Sequence, residues 1–164
     1  MILEPDSEVF LTIAELCLAL IGFSGVVSVF GRRNEGQWTA DEVLRLRTLV
    51  EPALTALAGC FVPILLVSFF EDRVSLWRAS NACLIAIHMV AFVLFWIRAK
   101  ADAVTSQKIM TVIFLGIVMI QILSVASVID FHVTAFLLGL LIGAAVSIHN
   151  FYLLLFETDG TSNN

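Results

Sequence analysis

Four polar residues lie deep inside apolar runs of this chain: Glu15, Asn81, His88 and Gln121. Lipid makes each of them costly, so each marks either chemistry or a specific hydrogen-bonded partner. A carboxyl group can bind a proton or a cation, an imidazole can relay a proton, and a carboxamide donates and accepts at once. At a helical rise of about 1.5 Å per residue, Glu15 falls roughly 7 Å to the outer side of the middle of its run. Asn81, Gln121 and Ser124 come out at similar depth, and His88 lies on the Asn81 face about two turns further in. The four can meet in one cluster. Its functional reading is a proton or cation site, and its structural reading is a polar clasp across three helices. Glu15 shares a helical face with Ala19, Gly22 and Val26, which predicts that it points into a packed seam.

A second polar group lies nearer one end of the spans. Arg47, Glu51, Thr55 and Gly59 recur every fourth residue as a single stripe, and His149 and Asn150 come to a nearby level. An Arg47–Glu51 pair there reads as a solvated or structural contact. Nucleophilic chemistry is suggested at one place only. Gly22-Phe23-Ser24-Gly25 resembles the G-x-S-G pattern of rhomboid-type intramembrane serine proteases. Ser24 and His149 share an estimated depth of about 7 Å inside the midplane, as a serine and its base must. In rhomboids, however, the serine sits in a later helix of usually six, and a glycine trails the histidine. Here Asn150-Phe151-Tyr152 follows His149. A serine hydrolase is therefore kept as a distant alternative. With no HExxH, paired-Asp or phosphate-binding glycine motif, no catalytic residue, cofactor or metal site is assigned. Cys17, Cys60 and Cys83 fall in three different runs and read as small packing residues.

The elements that position these residues follow from five apolar stretches, at 9–30, 49–70, 76–97, 109–129 and 133–156. A bilayer core of roughly 30 Å takes about 20 helical residues, and every stretch reaches that length. Hydrophobic residues make up 60% and charged residues 14% of the chain, against about 45–50% and 25% in soluble domains. So little polar material cannot coat a water-soluble core. The expectation is an all-α, integral membrane bundle of five transmembrane helices forming a single domain over 1–164, with the lipid bilayer as its first partner. The net charge of −5 and the lack of a long basic patch exclude nucleic acid. Acidic residues precede the first run and Arg32 and Arg33 follow it, the reverse of a signal peptide, so this run is expected to stay as an anchor.

Seven basic residues fall in the connectors after spans one and three, and two on the other side. The positive-inside rule then puts the N-terminus outside and the C-terminus in the cytoplasm. Trp77 and Trp96, roughly 28 Å apart along a helix, are expected to bracket span three at the two interfaces, with Trp38 and Tyr152 near the inner surface. Gly31, Asn34 and Gly36 are expected to break the first helix. Thr39 and Glu42 then form a capping box for a short interfacial helix that bends into the membrane at Pro52. Asp130-Phe131-His132 reads as a tight hairpin between spans four and five.

Small side chains let helices approach closely in lipid. Ala135, Gly139, Gly143 and Ser147 recur every fourth residue along span five, a packing seam within the chain or between copies. Span one carries Gly22 and Gly25 on one side and Cys17, Ser24 and Ser28 on another, which predicts a central position.

The order of Ala14-Glu15, Gly22-Phe23-Ser24-Gly25-Val26, Gly31-Arg32-Arg33, Trp38, Arg45-Leu46-Arg47 and Trp77-Arg78-Ala79-Ser80 resembles a group of small bacterial multi-pass membrane proteins. The likeness covers roughly the first half of the chain. It implies a bacterial inner-membrane location and no particular activity. The expected function is that of a non-enzymatic membrane subunit, either homo-oligomeric or bound to a partner membrane protein through span five and the first connector. The alternative is a small oligomeric channel or proton pathway using Glu15 and His88.

Overall fold

The computed structural model describes residues 7–35, 40–98 and 104–156, with side chains over 8–26, 43–98 and 109–153. Five α-helices account for nearly all of them: α1 (Ser7–Glu35), α2 (Ala40–Leu66), α3 (Arg73–Arg98), α4 (Val104–Val125) and α5 (His132–Phe156). One 3-10 turn (Val67–Phe69) tightens the end of α2. The architecture is an all-α bundle, and α1, α2, α3 and α5 are each long and apolar enough to cross a membrane. The apolar part of α4 covers Ile109–Val125 among the described residues. Helices suit this solvent because they satisfy every backbone N–H and C=O within the segment.

Helix limits depart from the sequence reading at three places. α1 passes through Gly31 and Asn34 to Glu35, so neither residue breaks it. α2 runs from Ala40 past Pro52 as one helix, and among the described residues no separate interfacial helix precedes it. Gly36, Trp38, the Thr39 cap and the Glu42 side chain lie outside the described residues. α4 ends at Val125, four residues before the expected limit, and the turn to α5 spans 126–131. Ser127 there takes a left-handed backbone with φ 57°. Its N–H reaches the Ser124 carbonyl at 3.0 Å, and Val128 N–H reaches Leu123 O at 2.9 Å. That paired closure satisfies the last carbonyls of the helix. Arg78 of α3 adds a bond from Nε to the Val125 carbonyl at 2.9 Å.

α5 and α2 form the centre, and α1 lies at the edge, the reverse of its expected position. α5 packs on all four other helices, whereas α1 packs chiefly on α2 and, less extensively, on α5. Ala135, Gly139, Gly143 and Ser147 are all buried, so the span-five seam is used within the chain. A Cβ on Gly143 would come within 3.0 Å of the Pro52 carbonyl oxygen and of Ala56 Cβ. A Cβ on Gly139 would collide with the Gln121 carboxamide and lie 2.9 Å from Leu84. α2 answers with its own small stripe of Ala53, Ala56, Gly59 and Cys60. Close backbone approach and dispersion hold these two helices together, since lipid supplies no hydrophobic force between them.

At the end of the bundle where α1, α3 and α5 begin, Phe10, Trp77 and Phe136 form an aromatic cluster with ring centroids 5.6–5.9 Å apart. Trp77 is 1% exposed and packs inside this core instead of presenting its ring at the surface, whereas Trp96 is 40% exposed.

Candidate functional site

Asn81, Leu84 and His88 lie on one buried stripe of α3, and Gln121 and Ser124 on the facing stripe of α4. Asn81 donates from Nδ2 to the His132 carbonyl at 2.9 Å and to the Trp77 carbonyl of its own helix at 2.9 Å. The Ser124 hydroxyl meets His132 Nδ1 at 2.8 Å. A polar clasp does join three helices, but they are α3, α4 and α5, and its centre is His132. The sequence alone puts that histidine in a hairpin. The usable signal was a polar pair, Ser124 and His132, flanking a turn at the level of Asn81.

Glu15 takes no part in this. It is exposed, and so are Ala19, Gly22 and Val26 on the same face of α1. The predicted packed seam is absent, because α1 turns its opposite face inward through Phe10, Ile13, Cys17 and Ser24. An added Cβ at Gly22 or Gly25 would find no heavy atom within 4 Å. Of the four expected cluster members, Asn81, His88 and Gln121 are buried on the facing stripes of α3 and α4, with Asn81 two turns from His88, and Glu15 is on the outside.

His88 is 3% exposed, and neither ring nitrogen has a hydrogen-bond partner. The Gln121 carboxamide is its polar neighbour, yet both carboxamide atoms also lack hydrogen-bond geometry. The ring packs edge-on to Phe114 with centroids 5.5 Å apart. Buried polar atoms without partners are uncommon in folded proteins, and of those here the His88 ring nitrogens border a cavity.

That cavity, of about 110 Å³, lies between α2, α3, α4 and α5. Its walls include Thr48, Thr55, His88, Phe92, Phe95 and Phe114. Phe92 and Phe114 stack with centroids 5.4 Å apart and planes 13° apart. The Thr55 hydroxyl donates to the Pro52 carbonyl at 2.8 Å, leaving its oxygen free to accept. Thr48 donates to Asn150 Oδ1 at 2.9 Å and so ties α2 to α5. Glu51 also lines the cavity, but its carboxylate pairs with Arg98 of α3 at 2.7 Å and not with Arg47 as the spacing suggested.

Ser24 donates its hydroxyl to the Ile21 carbonyl of its own helix at 2.6 Å, while His149 is half-buried on α5. Cys17 and Cys60 are buried in the core, and Cys83 is exposed on α3. Among the described residues no three His, Cys, Asp or Glu side chains gather as metal ligands. No family model, curated protein or solved structure matches the chain.

Proposed function

We propose that this protein is a non-enzymatic membrane subunit that associates with a second copy of itself through the outer face of α1. The observation that carries the reading is Glu15, exposed in the apolar stretch of α1 beside Ala19 and Gly22. A carboxyl group facing hydrocarbon is costly. Small residues and a polar side chain on one face are what close helix pairing in lipid uses. In a two-fold pair the same patch meets itself, so Gly22 crosses Gly22 and two Glu15 carboxyl groups can hydrogen-bond through a shared proton. The α5 seam is already consumed inside the chain, which moves the association surface from span five to α1.

A proton or cation pathway is supported less well. Glu15 lies on the outer face of α1, whereas His88 lies among the other four helices. The seven-to-two division of basic residues supports an inner-membrane placement with the N-terminus outside and the C-terminus cytoplasmic.

The test is disulfide trapping in native membranes. Ala19→Cys in a Cys83→Ser background should crosslink to a dimer. Gly22→Leu or Glu15→Leu should abolish the crosslink, and Glu15→Gln should retain it because an amide also pairs with itself. A chain that stays monomeric by native mass spectrometry and fails to crosslink at residue 19 defeats the reading. Orientation has its own check: a cysteine at Asn34 that is labelled from outside intact cells reverses it.

A further inference from the structure

We infer that the cavity between α2, α3, α4 and α5 is a binding site for a small neutral molecule, specifically a single hydroxylated ring. Size sets the first limit. At about 110 Å³ the cavity, partly open at its mouth, is somewhat smaller than the roughly 150 Å³ closed apolar cavity that takes benzene in another protein, so it holds one ring at most. Its walls set the second. Phe92, Phe95 and Phe114, from two helices, make the wall largely aromatic, which suits a planar ring.

Charge sets the third limit. Among the described residues Glu51 is the only acidic or basic one on the wall apart from the imidazole, and its carboxylate is engaged by Arg98 at 2.7 Å. A charged guest would find no free counter-charge among the described wall residues, while the apolar walls penalise it.

The fourth limit comes from His88. Its ring lines the cavity, it is 3% exposed, and both nitrogens lack partners. The two ring nitrogens point apart, so the single neighbouring carboxamide of Gln121 can serve at most one of them. The other is left for an occupant. A hydroxyl suits this arrangement because it pairs with either an N–H or a bare ring nitrogen. The Thr55 oxygen, whose own proton goes to Pro52, is a second acceptor on the same wall.

The experiment uses the full chain in lipid nanodiscs with ¹⁵N-labelled histidine, titrated with phenol and, separately, with toluene. Phenol should shift the His88 ring signals saturably, leave the His132 and His149 signals in place, and bind at least tenfold more tightly than toluene. Ala91→Phe, which fills the cavity from its α3 wall, should abolish the saturable shift. His88→Phe should remove the preference for phenol, with toluene binding retained. Partition into the bilayer alone would give a linear, unsaturable response that Ala91→Phe does not change. That result overturns the proposal, as does equal affinity for phenol and toluene in the parent, which would mark the cavity as a dry packing void.

Discussion

Gly22 and Gly139 are the same residue in similar helices, and alanine at the two positions should act in opposite directions. At Gly139 the new Cβ enters the space of Gln121 and Leu84. Overpacking of this kind costs about 1–3 kcal/mol. At Gly22 the Cβ meets nothing within 4 Å, so the helix-propensity gain of about 0.5–1 kcal/mol is left to dominate. Unfolding of the monomer in mixed detergent micelles should show Gly139→Ala less stable and Gly22→Ala more stable than the parent. Equal shifts would mean that the two faces are equally packed. Asp72 offers a second check at this scale. It caps α3, accepting the Ser75 N–H at 2.8 Å. The side chain and then the backbone of Ser75 hold its carboxyl below the usual carboxylate range. With the folded pKa depressed, the cap contributes fully above the ordinary carboxylate range and is lost as pH falls through the lower, folded value. Asp72→Asn keeps a capping side chain without a titration. Acid titration of stability should therefore lose this component in the variant; superimposable curves would deny it. The sequence placed Glu15, Ala19 and Gly22 on one face correctly, because helical period alone does that. It could not say whether another helix covers the face, since small and polar residues suit a seam inside the chain as well as one between chains.

The helices themselves were the most legible level, because apolar runs of bilayer length leave few alternatives. Their ends were less so. α4 stops at Val125 although apolar residues continue through Ile129, and the stop depends on Ser127 adopting φ 57°. A serine gives little warning of a position that glycine usually fills. Replacing it tests the account. A left-handed backbone costs a non-glycine residue roughly 1–2 kcal/mol, while glycine returns about 0.4–1 kcal/mol of that through a more flexible unfolded chain. Ser127→Gly should thus stabilise the bundle by about 1 kcal/mol or less, read from denaturant midpoints. Destabilisation would show that the serine side chain, and not only the backbone turn, holds α4 to α5. The opposite error occurred in α1, where Gly31 and Asn34 look like a stop and the helix continues. Glycine within a helix costs only about 1 kcal/mol, too little by itself to end one.

At the scale of the whole molecule, the spacing of Ala135, Gly139, Gly143 and Ser147 made the α5 seam readable, while its counterpart on α2 passed unnoticed among larger residues. Which helix is central depends on the pairing of two such stripes, and one stripe cannot reveal that. Trp77 illustrates the same limit. Its place in the chain suits an interface, but Phe10 and Phe136, distant in sequence, enclose it. The central position of α5 also orders events at the ribosome. Of the five helices α5 is made last, and roughly a hundred residues separate the end of α1 from its start. At about 5–20 residues per second, α1 waits roughly 5–20 s for the helix that completes its burial. During that interval Phe10 and its neighbours have α2 and the Trp77 ring of α3 to lean on, without Phe136. Assembly must therefore finish after insertion, when the youngest helix slides into the middle of the older ones.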